Sequence, residues 1–302
     1  MVAARQVRSD ARTGDLLPRL VGNAPNLLPR LVRAAPLLVP RAPRRPVFLL
    51  GCGRSGKTVL AELLGTHPHV ALYPGEANHL WHPRLYPWRY SPHRETVPPI
   101  WVDPLAFAAG SARVRTARDV RALKATFAAY QMLARKPVLV NESALTAVLL
   151  AFIRSEFPDA RIVHMVRDGR AVAAAWARRQ HEQITLHREL YAAADLDLAL
   201  DDVLDHCASS WNAQVLHVRD STASPTPGRG DIFEVRYEDF CAHPDEKLEQ
   251  VAEWLGLGPW RTHLRTEHIE NRNAMDMAAV PPDALTRATA RMQSGLELFG
   301  YA

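Results

Sequence analysis

Residues 46–64 read PVFLLGCGRSGKTVLAELL: an apolar run, a glycine-rich turn and a helix-forming segment in direct succession. Gly51, Gly56, Lys57 and Thr58 satisfy the spacing GxxxxGK[ST] in that strand-to-helix setting, which predicts a phosphate-binding loop. Glycine lets the backbone turn tightly round an anion, and the unpartnered N–H groups at a helix start face it along a favourable dipole. Lys57 adds a positive charge and Thr58 a hydroxyl. The loop by itself leaves open which phosphate compound it holds.

On either side of this stretch the chain alternates short apolar runs with helical patterns. Strands are expected at Val47–Leu50, Val70–Tyr73, Val138–Val140, Ile162–Val166 and Ile232–Val235, and helices at Lys57–Leu64, Ala144–Phe157, Arg170–Arg179 and Asp245–Leu255. That alternation predicts an α/β fold of three layers, a mostly parallel sheet with a P-loop-like phosphate loop and helices on both faces. Ligands of such sheets sit at the carboxyl ends of the strands. Arg167 ends one expected strand and Arg170 opens the next helix, so both guanidiniums are candidates for a second anion site, the guanidinium fork suiting phosphate. The alternative is an Arg–Asp168 pair that caps the helix.

Composition narrows the classes further. Of 302 residues, 47% are hydrophobic and 23% charged, which excludes a disordered, collagen-like or disulfide-framework chain. No apolar run reaches the roughly 18 residues of a spanning helix, and a cytoplasmic location is expected. Cys52, Cys207 and Cys241 are widely spaced, without CxxC or His partners, and are expected to be reduced thiols. The net charge of +5 is unevenly placed: residues 1–46 carry nine Arg against two Asp, leaving the other 256 residues at −2. Residues 1–45 therefore read as a Pro- and Arg-rich extension of a domain over 46–302. The extension suits peripheral contact with an anionic membrane surface or partner, or precedes the true start of the domain. No interleaved basic–aromatic motif accompanies the charge, so nucleic acid is not an expected partner.

Four motifs together resemble the sulfotransferases that use 3′-phosphoadenosine-5′-phosphosulfate, in particular their bacterial and tyrosylprotein-type branch. They are GRSGKT (53–58), HPHVALYPGEANHLW (67–81), VRDGRA around Arg167 and Arg170, and VRYEDF (235–240). The resemblance implies a sulfuryl donor held by Gly53, Arg54, Ser55, Gly56, Lys57, Thr58 and Val59, with Arg167 on the 3′-phosphate, Tyr237 beside the nucleotide, and 3′,5′-adenosine bisphosphate as product. It also implies that Glu76, in Pro74-Gly75-Glu76 after the second strand, is the general base, since an acceptor hydroxyl loses its proton as sulfur is attacked. His79 and His82 are the runners-up for that role. His79-x-x-His82 has no third ligand nearby in sequence, and no metal is expected. Arg265 or Arg272, within or beside His268–Asn273, are candidates for the basic segment that closes over the 3′-phosphate.

Three positions depart from the family pattern: Lys57 replaces a Thr, Glu142 stands where a Lys contacts the transferring group, and Ala175 replaces a Ser. A single substitution of charge links the first two, with Lys57 supplying the cation that Glu142 does not; Lys57 and Arg54 thus join Glu76 as catalytic candidates. Tyr73, Trp81, Tyr86, Trp88, Tyr90 and Trp101 cluster around and after Glu76 in a Pro-rich stretch read as an ordered loop or lid. They form either an acceptor wall, with Trp81, His79 and Trp88 touching a small-molecule or glycan acceptor, or core packing. The acidic stretch Thr185–Leu204 with Asp205 reads as a solvated face or one suited to a cationic acceptor. Two other readings stay open: a nucleoside-triphosphate-dependent small-molecule kinase, because Lys57 completes a triphosphate loop, and a non-catalytic nucleotide-binding relative. Oligomeric state is not legible.

Overall fold

In the computed structural model, which describes residues 41–83, 98–186, 199–223, 232–260 and 264–302, five strands form one sheet. They are β1 (Pro46–Leu50), β2 (Val70–Leu72), β3 (Val138–Glu142), β4 (Arg161–Val166) and β5 (Ile232–Arg236), in the order β2-β3-β1-β4-β5. Every neighbouring pair is parallel. The helices are α1 (Lys57–Gly65), α2 (Asn78–Trp81), α3 (Pro104–Val114), α4 (Ala117–Ala134), α5 (Leu150–Glu156), α6 (Gly169–Leu186), α7 (Leu200–Ala223), α8 (Tyr237–Ala242), α9 (Pro244–Trp254), α10 (Asn273–Met277), α11 (Pro282–Ala290) and α12 (Gln293–Leu298).

Strand side chains alternate between the two faces, and each face has its own core. Phe48 and Leu50 join Leu139, Ile162 and Val166 on one side; Val47 and Leu49 join Val138, Val140, Val163 and Met165 on the other. The first core is aromatic: Trp81 and Phe157 each stand edge-on to Phe48 at 5.1 Å between ring centroids. The second is mainly aliphatic, with Phe240 and Tyr237 among its members, and is closed by Leu60 and Leu64 of α1 and by Leu248 and Val251 of α9. The strands and the α/β class are those the apolar runs predict.

Three features differ from the sequence reading. Residues 102–137, to which the motifs assign nothing, form α3 and α4, whose starts are fixed by Asp103 accepting from the N–H groups of Leu105 and Ala106 and by a reciprocal Thr116–Asp119 capping box. Within the stretch read as a lid, α2 is helical, and residues 84–97 lie outside the described residues. On the described part of the acidic stretch, Asp201 pairs with Arg287 at 3.2 Å, and Asp205 with Arg287 at 3.4 Å and Arg291 at 3.0 Å, which ties α7 to α11 and the residue after it, while Asp202 is exposed. Asp195 and Asp197 lie outside the described residues.

Residues 1–40 also lie outside them. The end of the basic segment is docked onto the body, where Arg44 exchanges backbone hydrogen bonds with the Gln131 amide and the Arg45 guanidinium donates to the Leu255 carbonyl at 2.6 Å. Among the described residues, no helix is long and apolar enough to cross a membrane.

Candidate active site

The loop between β1 and α1 owes its path to two glycines. At Gly51, φ is +140°, and a Cβ would stand 2.5 Å from the Met165 carbonyl oxygen of β4; at Gly56, φ is +97°, and a Cβ would stand 2.7 Å from the Tyr237 ring. Only glycine lets the loop press against both neighbours. Arg54 also takes a left-handed conformation, φ 69°, held there by its carbonyl accepting from Arg167 at 2.8 Å. The buried Lys57 side chain folds back so that Nζ donates to the Cys52 carbonyl at 2.7 Å. Thr58 Oγ1 donates to Glu142 at the end of β3, at 3.2 Å. Burial pushes the Glu142 carboxyl above its ordinary range, against the opposing pull of Lys57.

Arg167, at the end of β4, is fully engaged. Its Nη2 meets Asp276 of α10 at 2.7 Å, its Nε meets the Asn273 side-chain oxygen at 2.8 Å, and the guanidinium lies 4.4 Å from the centroid of Tyr237. Glu238 supports this arrangement by accepting from Asn273 at 2.7 Å, from the Asp168 N–H at 3.0 Å and from the Tyr301 hydroxyl at 2.7 Å. Arg170 takes the capping alternative: it is bidentate to Asp168 and donates to the Tyr301 carbonyl.

Glu76 follows Gly75, whose φ is +69°, and precedes Ala77, also left-handed at 54°. Two side chains from the end of β3 hold this tight turn. Asn141 donates to the Gly75 carbonyl at 3.2 Å, and Ser143 donates to Asn78, which in turn donates to Glu76 Oε2 at 2.7 Å.

These parts line one cavity of about 480 Å³. It brings Gly53, Arg54, Ser55, Gly56, Lys57, Thr58, Val59, Arg167 and Tyr237 together with Glu76, and Glu142 and Arg272 also face it. Arg265 is exposed elsewhere. Trp81 does not line it: the indole is fully buried and donates to Asn141 at 2.8 Å, so it packs the core behind the Glu76 turn instead of contacting an acceptor. His79 is half-buried outside the lining, and Trp88 lies outside the described residues. His82 is no candidate base. It is buried between Ser111 and the Leu145 carbonyl, and burial holds its imidazole down at about 3. Among the described residues, no group of three or more His, Cys, Asp or Glu is placed to hold a metal ion.

The buried imidazole has a stability consequence of definite sign. Its folded pKa lies below the unfolded value, so its contribution is complete above about pH 6.5 and is lost as the pH falls toward 3. Between pH 7.5 and 5 the loss is about 2 kcal/mol. His82→Gln is expected to remove that part of the pH dependence, measured as the difference in urea-unfolding free energy between the two pH values.

The profile of the sulfotransferase family matches residues 46–262, more than two thirds of the sequence. The chain belongs to the sulfotransferase family. Among its relatives, protein-tyrosine sulfotransferase 2 of Gallus gallus is 26% identical over 74% of this chain and 54% of its own length. The omega-hydroxy-beta-dihydromenaquinone-9 sulfotransferase Stf3 of Mycobacterium tuberculosis is 26% identical over 43% of this chain and 31% of its own. The chain thus spans about a third to a half of these sulfotransferases. The crystal structure of sulfotransferase STF9 from Mycobacterium avium shares the fold, with a TM-score of 0.57 at 15% identity over 90% of this chain and 81% of that one.

Against that family background, several lining residues carry no signal in the motifs. Asp276 sits in an unremarked C-terminal run, 109 positions from the arginine it pairs with. Trp176 lies against Gly53, and Ile100 and Phe107 enter from segments to which the motifs assign no role.

Proposed function

We propose that this sulfotransferase-family chain transfers a sulfuryl group from 3′-phosphoadenosine-5′-phosphosulfate to a hydroxyl or amine of a small-molecule or glycan acceptor. The observation that carries the reading is the single cavity in which the phosphate loop, Arg167, Tyr237 and Glu76 meet. Its charge suits a polyanion: Arg54, Lys57, Arg167, Arg179 and Arg272 line it, against Glu76, Glu142 and Asp276. When bound, the donor supplies an activated sulfuryl group on a phosphate leaving group. Loop N–H groups at the start of α1, with Arg54 and Lys57, hold its anionic centre. Arg167 and Arg272 flank Tyr237, where a 3′-phosphate belongs. Glu76 takes the acceptor's proton, and Lys57 offsets the charge that develops on the leaving oxygen, in place of the cation that Glu142 displaces.

Calorimetry tests the donor. The expected result is binding of 3′,5′-adenosine bisphosphate without metal and none of ATP with Mg²⁺; the reverse would replace this reading. Lys57→Ala is expected to lower turnover about 10²–10³-fold with bisphosphate binding still measurable, and near-normal turnover would remove Lys57 from the chemistry. One observation favours the kinase reading: Thr58 donates to a carboxylate at the tip of the adjacent strand, a placement that suits a loop whose hydroxyl meets a metal–nucleotide complex. The ATP arm of the same experiment decides it.

A further inference from the structure

The cavity lies at the carboxyl ends of the strands, and the amino ends form a surface of a different kind. The residues that lead into β1, β3 and β4 place Arg41, Arg44, Arg45, Arg135, Lys136 and Arg161 there, against Asp159 and, in the last turn of α9, Glu253. Shared contacts make this one surface. The Gln131 side chain bonds both Arg44 and the Pro137 carbonyl, Lys136 donates to the Val70 carbonyl at 2.8 Å, and Arg45 and Arg161 donate to the Leu255 and Trp254 carbonyls at the end of α9. Pro46 pairs with Leu139 and Val47 with Arg161, so adjacent segments leave the sheet only about 4.8 Å apart. The five arginines are all exposed, and bonding to carbonyls leaves their charge in place. Next to Gln131, Met132 and Leu133 are 48% and 39% exposed, so apolar side chains stand beside the cations.

The N-terminal part of the chain joins the body at this surface. Residues 1–40 carry six Arg against two Asp, and the runs Leu27-Leu28, Leu31-Val32 and Leu37-Leu38-Val39 are spaced by Arg30 and Arg33. Residues 224–231, leading into β5, and 261–263 lie outside the described residues and add two Arg and one Asp by sequence. From this arrangement we infer that the amino-end face of the sheet is a peripheral docking surface for an anionic lipid bilayer. The cations are drawn to the negative potential of the headgroups, while Met132 and Leu133 enter the boundary between headgroups and acyl chains. A nucleic acid or an acidic peptide matches the charge but gives no apolar phase to these side chains or to the Leu and Val runs. The inference is independent of the donor reading, and it puts the cavity at the end of the sheet away from the lipid.

The test is sedimentation of the full chain with vesicles of phosphatidylcholine, alone or mixed with phosphatidylglycerol, at low and at physiological salt. Partitioning onto the mixed vesicles is expected to be at least about tenfold stronger and to weaken with salt. Arg135→Gln is expected to lower it about fivefold and Met132→Ser severalfold, while Arg54→Gln, at the opposite end, leaves it unchanged. All three side chains are exposed, and urea unfolding should match that of the parent chain. Equal partitioning onto both vesicle types overturns the inference. A loss in Arg54→Gln as large as that in Arg135→Gln also overturns it, as does no change in both Arg135→Gln and Met132→Ser. Full release from the mixed vesicles by single-stranded RNA at equal phosphate concentration would assign the surface to nucleic acid instead.

Discussion

Glu76→Gln is expected to lower sulfuryl transfer by about 10²–10⁴-fold while 3′,5′-adenosine bisphosphate binds as before. The substitution is close to isosteric, and the glutamine oxygen still accepts from Asn78, so the turn held by Asn141 and Ser143 keeps its shape. What disappears is the oxygen able to take a proton. Of the two other carboxylates on the cavity, Asp276 is paired with Arg167, and Glu142 is buried and bonded to Thr58 at the start of α1, not to the Glu76 turn. Single-turnover rates check the assignment, because they separate the chemical step from binding and release. A loss smaller than tenfold would place the base elsewhere.

Arg167→Met is expected to destabilise the fold by about 3–5 kcal/mol and to abolish bisphosphate binding. The ion pair with Asp276 leaves only 5% of one side chain and 10% of the other exposed, and removing the cation strands a buried carboxylate. Asp276→Asn separates the two effects. The amide oxygen still accepts from Arg167, but no negative charge competes for the guanidinium, and bisphosphate binding should tighten by roughly tenfold, about 1.4 kcal/mol. Urea unfolding and calorimetry on both variants read these outcomes. Weaker binding in Asp276→Asn would mean that the carboxylate orients Arg167 for the phosphate instead of opposing it.

The sheet was legible because each strand is a short apolar run next to turn residues, and the tight turn between β1 and α1 because its glycines stand where the backbone needs positive φ and close approach. Helices α3 and α4 were harder: ARDVRALKATFAAYQMLA is rich in alanine, so its buried face, with Leu123 and Phe127, stands out little from the rest. Among the residues that line the cavity, those close in sequence to a motif were legible and those brought in by folding were not. Asp276 pairs with Arg167 only because α10 packs on α6 beside the sheet edge. Trp81 shows the opposite error. An aromatic beside a catalytic turn reads as a wall for ligand, but its indole is spent on Asn141, inside the core. Tryptophan carries the same sequence signal whether it faces a substrate or a neighbour.

The end of β3 joins the two halves of the cavity. Asn141 and Ser143 point to one face and hold the turn that carries Glu76, while Glu142 between them points to the other and meets Thr58 of the phosphate loop. Three consecutive residues thus act as a common ruler, set against β1 by the pairing of Leu49 with Glu142. A substitution that displaced this strand would therefore move the Glu76 turn and the loop before α1 together.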